Sequence, residues 1–330
     1  MPYNAGMTKT AALLLASVIA AATSASVPAR AQFPDRTVKI VVPFPAGGTI
    51  DQAARMLGQR LHEKWNVPVV VENRPGAGNT VGAAAVAQAA PDGHTLLFAN
   101  TSVSVNPSLF KTLPYDTLRD LAPVVYLTPS PNVLLAQKTL GVGSLKELIA
   151  LAKSRTDKPL SFGSVGRGSA HHFCGELVRS EASINLLHVP YRGVAPALLA
   201  VNRGEVDLYC SDLTGALTLL QADKVTPLGI TSPKRAAILP QIPTLAEAGL
   251  PNYAATGYLG IMATGGTPPD TIRRLNQAFN EVIREPESVK QFAALGHEMT
   301  GGTVEEFAKF LREDIERYRR LTQAAGIAPE

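Results

Sequence analysis

The feature that most limits what this chain can fold into is its repeated alternation of short β-branched runs with longer segments of helical period, joined by turns rich in glycine and proline. Thr37–Val42 reads as a strand and Pro45–Gly48 as a turn. A helix starts at Thr49, with Gln52 placed to complete a capping box. Ala54, Leu57, Leu61 and Trp65 recur at the spacing of one helix face. Val67–Val71 as a strand, Thr80–Ala89 as a helix, a Pro91-Asp92-Gly93 turn and a strand over Thr95–Ala99 continue the pattern. Strands separated by helices predict an α/β fold with mainly parallel sheets, because a parallel neighbour is reached only by a crossover.

The pattern then repeats. Ser144 and Glu147 cap a helix, Leu160–Val165 is a strand, and a helix begins near Ala170. Asn185–Val189, Glu205–Cys210 and Val225–Thr231 read as strands. A helix follows Pro268, and a long one capped by Thr303 and Glu306 carries the stripe Phe307, Phe310, Leu311, Ile315 and Tyr318. Two extended segments rich in Pro, Gly and Thr, Tyr126–Gln137 and Tyr253–Gly265, are candidate crossings between domains. If both are hinges, one lobe comprises about 33–130 plus 258–330 and the other 131–257, and the lobes close by bending. A single large doubly wound sheet has the same periodicity.

The N-terminus differs from the rest. Lys9 precedes an apolar run, Ala11–Ala22, and small residues lead to Ala29-Arg30-Ala31. This is the order of a secretory signal, with cleavage expected after Ala31. The run is too short for the roughly 20 residues that span a bilayer. Export takes the mature chain out of the cytoplasm. The formal charge of +4 is spread out without a basic run, which argues against nucleic acid as a partner. Cys174 and Cys210 are the two cysteines. Their spacing does not tell whether they approach; buried free thiols are the plainer reading, and a disulfide is the alternative that export permits.

Three small-residue turns join a strand end to a helix start: Phe44–Thr49, Asn100–Val103 and Val165–Ser169. Helix N-termini carry unpaired N–H groups and partial positive charge, so such turns suit a carboxylate. Any α/β protein also needs turns there. Asp51 either complements its helix dipole or faces a ligand. Gly76–Gly82 has the glycine spacing of a dinucleotide loop, but Asn73-Arg74-Pro75 separates it from its strand, so no cofactor is expected. His172 and Glu176 lie one helical turn apart; without a third ligand they give no metal site. No serine sits in a G-x-S-x-G elbow. Asp207 falls within a strand and Asp212 beyond its end, where it can face a cleft. Tyr191 offers a ring and a hydroxyl, or simply packs.

Longer strings go further. Val41-Val-Pro-Phe-Pro-Ala-Gly-Gly48 with Asp51 and Ala54-Arg55, Val71-Glu-Asn-Arg-Pro-Gly-Ala-Gly78, Ala90-Pro-Asp-Gly-His-Thr-Leu96 and His188-Val-Pro-Tyr-Arg-Gly193 occur in order along the mature chain. So do Gly166, Gly168-Ser169, His172, Gly175-Glu176-Leu177 and Pro243-Thr244. This series resembles the Bug-type solute receptors of the tripartite tricarboxylate transporter class. The resemblance implies a two-lobed periplasmic binding protein of the Venus-flytrap kind (type II-like) that holds carboxylates through backbone N–H groups and bridging waters. On that basis Phe44, Ala46, Gly47, Gly48, Thr49, Asp51, Thr101 and Ser102 map to one side of a cleft, and Gly166, Ser169, His172, Tyr191 and Asp212 to the other. Asn79 replaces a glycine usual in the family, and Tyr258 a tryptophan.

The expected function is capture of a small carboxylate (a dicarboxylate, amino acid or aromatic acid) and its delivery by a monomer to membrane permease subunits, or to a sensor kinase. No catalysis is expected. The rival from another class is a secreted α/β enzyme using His172 or Asp212 as acid or base, and turnover of a small acid distinguishes the two.

Overall fold

Short runs of largely apolar residues build two five-stranded sheets. A computed structural model describes residues 33–167, 169–253, 256–324 and 326–329. The expected signal segment, 1–31, lies outside the described residues. The chain divides into a short unit, 1–35, and a compact unit, 36–330, which carries both sheets.

The strands are β1 (Val38–Val42), β2 (Val69–Asn73), β3 (Thr95–Asn100), β4 (Leu121–Ser130), β5 (Asn132–Gln137), β6 (Leu160–Ser164), β7 (Leu186–Pro190), β8 (Leu208–Asp212), β9 (Val225–Ile230) and β10 (Gly257–Thr264). The main helices are α1 (Thr49–Trp65), α2 (Thr80–Ala87), α3 (Ser102–Leu109), α4 (Thr117–Asp120), α5 (Leu145–Ser154), α6 (Ala170–Glu181), α7 (Val194–Arg203), α8 (Leu213–Gln221), α9 (Pro269–Arg284), α10 (Pro286–Ala294) and α11 (Val304–Ala324). The first sheet has the order β2-β1-β3-β10-β4 and the second β7-β6-β8-β5-β9. Central strands such as β1 and β10 are buried nearly throughout, as expected where helices cover both faces.

The sheets are mainly parallel, as expected, with one strand in each running against the other four. β1 runs parallel to β2 and β3, and β6 to β7 and β8. β10, however, runs antiparallel to β3 and β4, and β5 antiparallel to β8 and β9. Each sheet thus receives one strand at a point where the chain changes sheet, and that strand enters against the parallel run. β4 passes through Pro131 directly into β5, and the chain returns to the first sheet at Gly257.

Local signals hold at several helix starts. Ser144 Oγ accepts the Glu147 N–H (3.3 Å), and Thr303 and Glu306 form a reciprocal box. The box expected at Thr49 does not form: Gly48 is the cap residue of α1, and no side chain caps it. One core cluster joins helices of both sheets, with Val105 and Leu109 of α3 and Tyr318 of α11 beside Phe173 of α6. Phe173 and Tyr318 meet edge to face at 4.8 Å.

Cys174 and Cys210 are joined in a disulfide, with Cα atoms 6.3 Å apart. The free-thiol reading is corrected. α6 packs on β8, and both cysteines sit in that buried seam, so their side chains face one another.

Candidate functional site

A cavity of about 430 Å³ is lined from both sheets, within the range of small-molecule sites. Strand ends and helix starts converge on it, as the C-terminal edge of an α/β sheet dictates. The first sheet supplies the turn Phe44–Gly48 before α1, Thr101 after β3 and Tyr258 of β10. The second supplies Ser169 and His171 at the start of α6, Arg192 and Gly193 before α7, and Asp212 before α8. Ser130, Pro131 and Asn132 line it where the chain passes from β4 into β5.

The helix starts around the cavity fall into two kinds. α6 and α8 are closed by side chains: Ser169 Oγ accepts the His172 N–H (3.1 Å), and Asp212 Oδ1 accepts the Gly215 N–H (2.8 Å). α1 and α7 begin at Gly48 and Gly193 with no side-chain cap, which leaves their first N–H groups for another acceptor. These two turns meet: a Cβ on Gly193 would lie 3.6 Å from Pro45 Cγ. Gly47 (φ +88°) and Gly193 (φ +125°) hold backbone conformations that strongly favour glycine. Arg192, exposed beside α7, has no ion-pair partner among the described residues.

Asp51 lines the cavity but is turned back on its own turn. Its carboxylate accepts from the Gly47 N–H (2.9 Å), Arg55 Nε (3.0 Å) and Asn73 Nδ2 (2.9 Å). Burial pushes its pKa up, but these donors outweigh burial and hold it below the usual carboxylate range. Asp51 therefore braces the turn whose N–H groups face the cavity.

Of the residues singled out from sequence, Phe44, Ala46, Gly47, Gly48, Thr49, Asp51, Thr101, Ser169 and Asp212 line the cavity. Ser102, Gly166, His172 and Tyr191 do not. Ser102 is buried, its Oγ accepting from Asn79 Nδ2 (2.9 Å). Asn79 itself has φ +73°, a left-handed conformation that Asn tolerates and glycine adopts freely, in keeping with the glycine that the resemblance leads one to expect there. Gly166 lies behind Ser169, whose hydroxyl donates to its carbonyl (2.6 Å). Tyr191 folds back, with its ring against Gly163. His172 is 3% exposed and packs on His188, with ring centroids 4.4 Å apart, and on Phe162. Burial first, then the nearby His188, Arg167 and Arg179, pushes its pKa down to about 3. His172 Nε2 is 3.8 Å from Glu176 Oε1. Among the described residues, no group of three or more His, Cys, Asp or Glu side chains is placed to hold a metal ion.

Sequence reasoning missed His171, Arg192, Asn132 and the turn Leu295–His297, which also line the cavity. Arg192 and Gly193 sat within the His188–Gly193 string, next to the tyrosine chosen instead. The Gly76–Gly82 segment lies outside the cavity, with Gly78 tight against the Arg167 carbonyl. Tyr258 is fully buried, with its hydroxyl 3.2 Å from Ser104 Oγ and its ring beside Tyr126 and Phe310. Its backbone N–H donates to Thr101 Oγ1 (3.1 Å) and so ties β10 to the start of α3.

The chain is similar along most of its length to known proteins. BugT of Bordetella pertussis is 35% identical over 298 residues, which cover 89% of this chain and 90% of that protein. A structure of an R. palustris protein with adipate superposes with a TM-score of 0.85 at 32% identity, covering 90% of this chain and all of that one. MatC of Rhodopseudomonas palustris, solved with bound malate, gives a TM-score of 0.80 at 32% identity, covering 88% of this chain and 99% of that one. The family described as the tripartite tricarboxylate transporter family receptor matches residues 53–327. With this coverage and a shared two-sheet α/β fold, the chain belongs to the tripartite tricarboxylate transporter receptor family.

Proposed function

We propose that this chain is a periplasmic receptor that closes around a small carboxylate and hands it to the membrane permease subunits of a tripartite transporter. The observation that carries the reading is the facing pair of uncapped helix starts, α1 and α7, on one cavity, with Arg192 next to the second of them. Unpaired N–H groups at two helix N-termini attract an anion, and a carboxylate satisfies them. Phe44–Thr49 anchors it on one side and Arg192-Gly193 on the other, with Thr101, Ser169 and Asp212 completing the wall. The adipate- and malate-bound relatives support a carboxylate of that size.

The moving bodies are 33–130 plus 258–330 and 131–257, joined where the chain changes sheet. A ligand touching both drives closure by its greater affinity for the closed form. Among the described residues, no helix is long and apolar enough to cross a membrane. Binding without chemistry is the reading adopted: of the enzymatic rival's two candidates, His172 lies outside the cavity lining, and Asp212 lines it but is engaged in capping α8 through the Gly215 N–H.

The test is a thermal-shift screen of residues 32–330 against dicarboxylates, tricarboxylates, acidic amino acids and aromatic acids. An acid at a hundred times its Kd stabilises the fold by about 2.7 kcal/mol. A raised midpoint without loss of the acid is the expected outcome. Consumption of the acid, or no shift after a denaturation and refolding cycle to strip bound solute, overturns the reading.

A further inference from the structure

One row of side chains leaves the core of the second sheet and ends at the cavity in an amide. On β5, Ala136 and Leu134 belong to the same buried apolar cluster as Cys210 of β8. Side chains two apart on a strand share a face, and the next position of that row is Asn132. Asn132 is the first residue of β5, just after the chain passes from β4 through Pro131. It stands directly opposite Asp212 in the ladder, and both residues line the cavity.

The backbone of Asn132 is engaged: its N–H donates to Thr231 Oγ1 (2.9 Å), and its carbonyl accepts the Thr231 N–H (2.9 Å). Its side chain is not. Asn132 is 4% exposed, yet neither Oδ1 nor Nδ2 has a hydrogen-bond partner among the described residues, and neither atom is closed off from the cavity. An amide taken out of water without a partner is costly, and natural proteins rarely keep one. The other buried polar side chains on the cavity wall are already satisfied or turned away. Asp51 is bonded within its own turn, Thr101 Oγ1 accepts the Tyr258 N–H, and Ser169 Oγ accepts the His172 N–H and donates to the Gly166 carbonyl. Asn100 Oδ1 accepts the Ser102 N–H (2.9 Å), and its Nδ2, like the ring nitrogens of His297, lies out of the cavity's reach.

We infer that Asn132 determines specificity by bonding, through its side-chain amide, a second polar group of the carboxylate ligand. The inference rests on the carboxylate reading and refines it: the helix starts of α1 and α7 take one carboxylate, and the ligand is a bifunctional acid rather than a plain alkyl acid. The amide carries two N–H donors, one carbonyl acceptor and no charge. It meets a carboxylate or a carbonyl through its N–H groups, and a hydroxyl through either end. An alkyl terminus leaves both ends unbonded, and a site built to bond a polar group rejects the analogue that lacks it.

Titration calorimetry with two pairs of acids tests this: succinate against butyrate, and adipate against hexanoate. Within each pair the chain length is the same and a methyl group replaces the second carboxylate. Wild-type protein is expected to bind at least one diacid more tightly than its monoacid by about tenfold or more. In Asn132→Leu, which removes the bonding atoms at similar volume, the ratio falls towards one because the diacid loses affinity. In Asn132→Asp, which keeps the native shape, a carboxylate faces the second carboxylate and the ratio falls at least as far. That variant decides if Asn132→Leu does not fold. Equal affinities within both pairs in the wild type overturn the inference and leave the carboxylate reading standing. So does a diacid preference that survives in a folded variant, since the second group then meets another residue. Binding of none of the four acids overturns both readings.

Discussion

His171 and His172 are neighbours on one helix and sit in opposite surroundings. His171 lines the cavity with its nitrogens unbonded, and His172 turns into the core against Phe162 and His188. Successive residues on a helix lie about 100° apart, so one faces the open edge of the second sheet and the other its packed face. Burial lowers both pKa values, yet the consequences differ. A core imidazole is fixed by packing, and a change there alters stability. The His171 imidazole lies flat on Tyr209 at the cavity's edge, and a change there alters the cavity wall. The disulfide from Cys174 to Cys210 holds both faces, since it fastens α6 to the strand that ends in Asp212.

The comparison is tested most severely on the core side. Phe173 is 1% exposed and packs edge to face on Tyr318, which joins α6 to α11. Phe173→Ala is expected to cost about 3–5 kcal/mol through lost burial and a residual cavity. Denaturant unfolding measures it. A loss under about 1 kcal/mol would mean that α6 is not held by its core face, and the contrast between the two faces would fail.

A smaller effect comes from pH. His172 is neutral in the fold, with its pKa down at about 3, whereas in the unfolded chain it titrates near 6.5. As pH falls below about 6.5 the unfolded chain takes up a proton that the fold refuses, so stability declines until pH reaches about 3. The decline is at most about 1.4 kcal/mol per pH unit for this group. His171 and His188, both near 4, add in the same direction. Melting midpoints should therefore fall steadily from pH 7 to pH 4.5, and His172→Asn should flatten that slope. An unchanged slope in the variant would remove His172 as its source.

Much of this arrangement is legible in the sequence, and the illegible part has a common cause. The turn at Phe44–Thr49, the Ser144 and Thr303 caps and the passage near Pro131 depend on residues close along the chain, and each is marked by its own residue types. The antiparallel course of β5 and β10 is not so marked, because periodicity carries no direction. The Cys174–Cys210 bond depends on α6 lying over β8. His297 reaches the Asp212 wall from more than eighty residues away, through Thr128 and Thr214, and no local pattern announces it. That His171 and not His172 lines the cavity has a related cause. Residue type indicates that a histidine matters at a helix start, and only the seating of the helix shows which of two adjacent rings faces the cavity.

The smallest expected effect is the most discriminating. His171→Leu removes a ring whose nitrogens have no partner in the fold and leaves an apolar side chain against Tyr209. Deleting a buried polar group that bonds nothing relieves a desolvation cost, while the lost ring stacking opposes it. The stability change at pH 7 should stay within about 1 kcal/mol of zero. The same substitution at His172 empties a packed core site and is expected to cost more than 1 kcal/mol. Denaturation midpoints of the two variants, measured side by side, decide between the faces. If His171→Leu proves as costly as His172→Leu, His171 is a packing residue like its neighbour, and the cavity face of α6 loses its separate role.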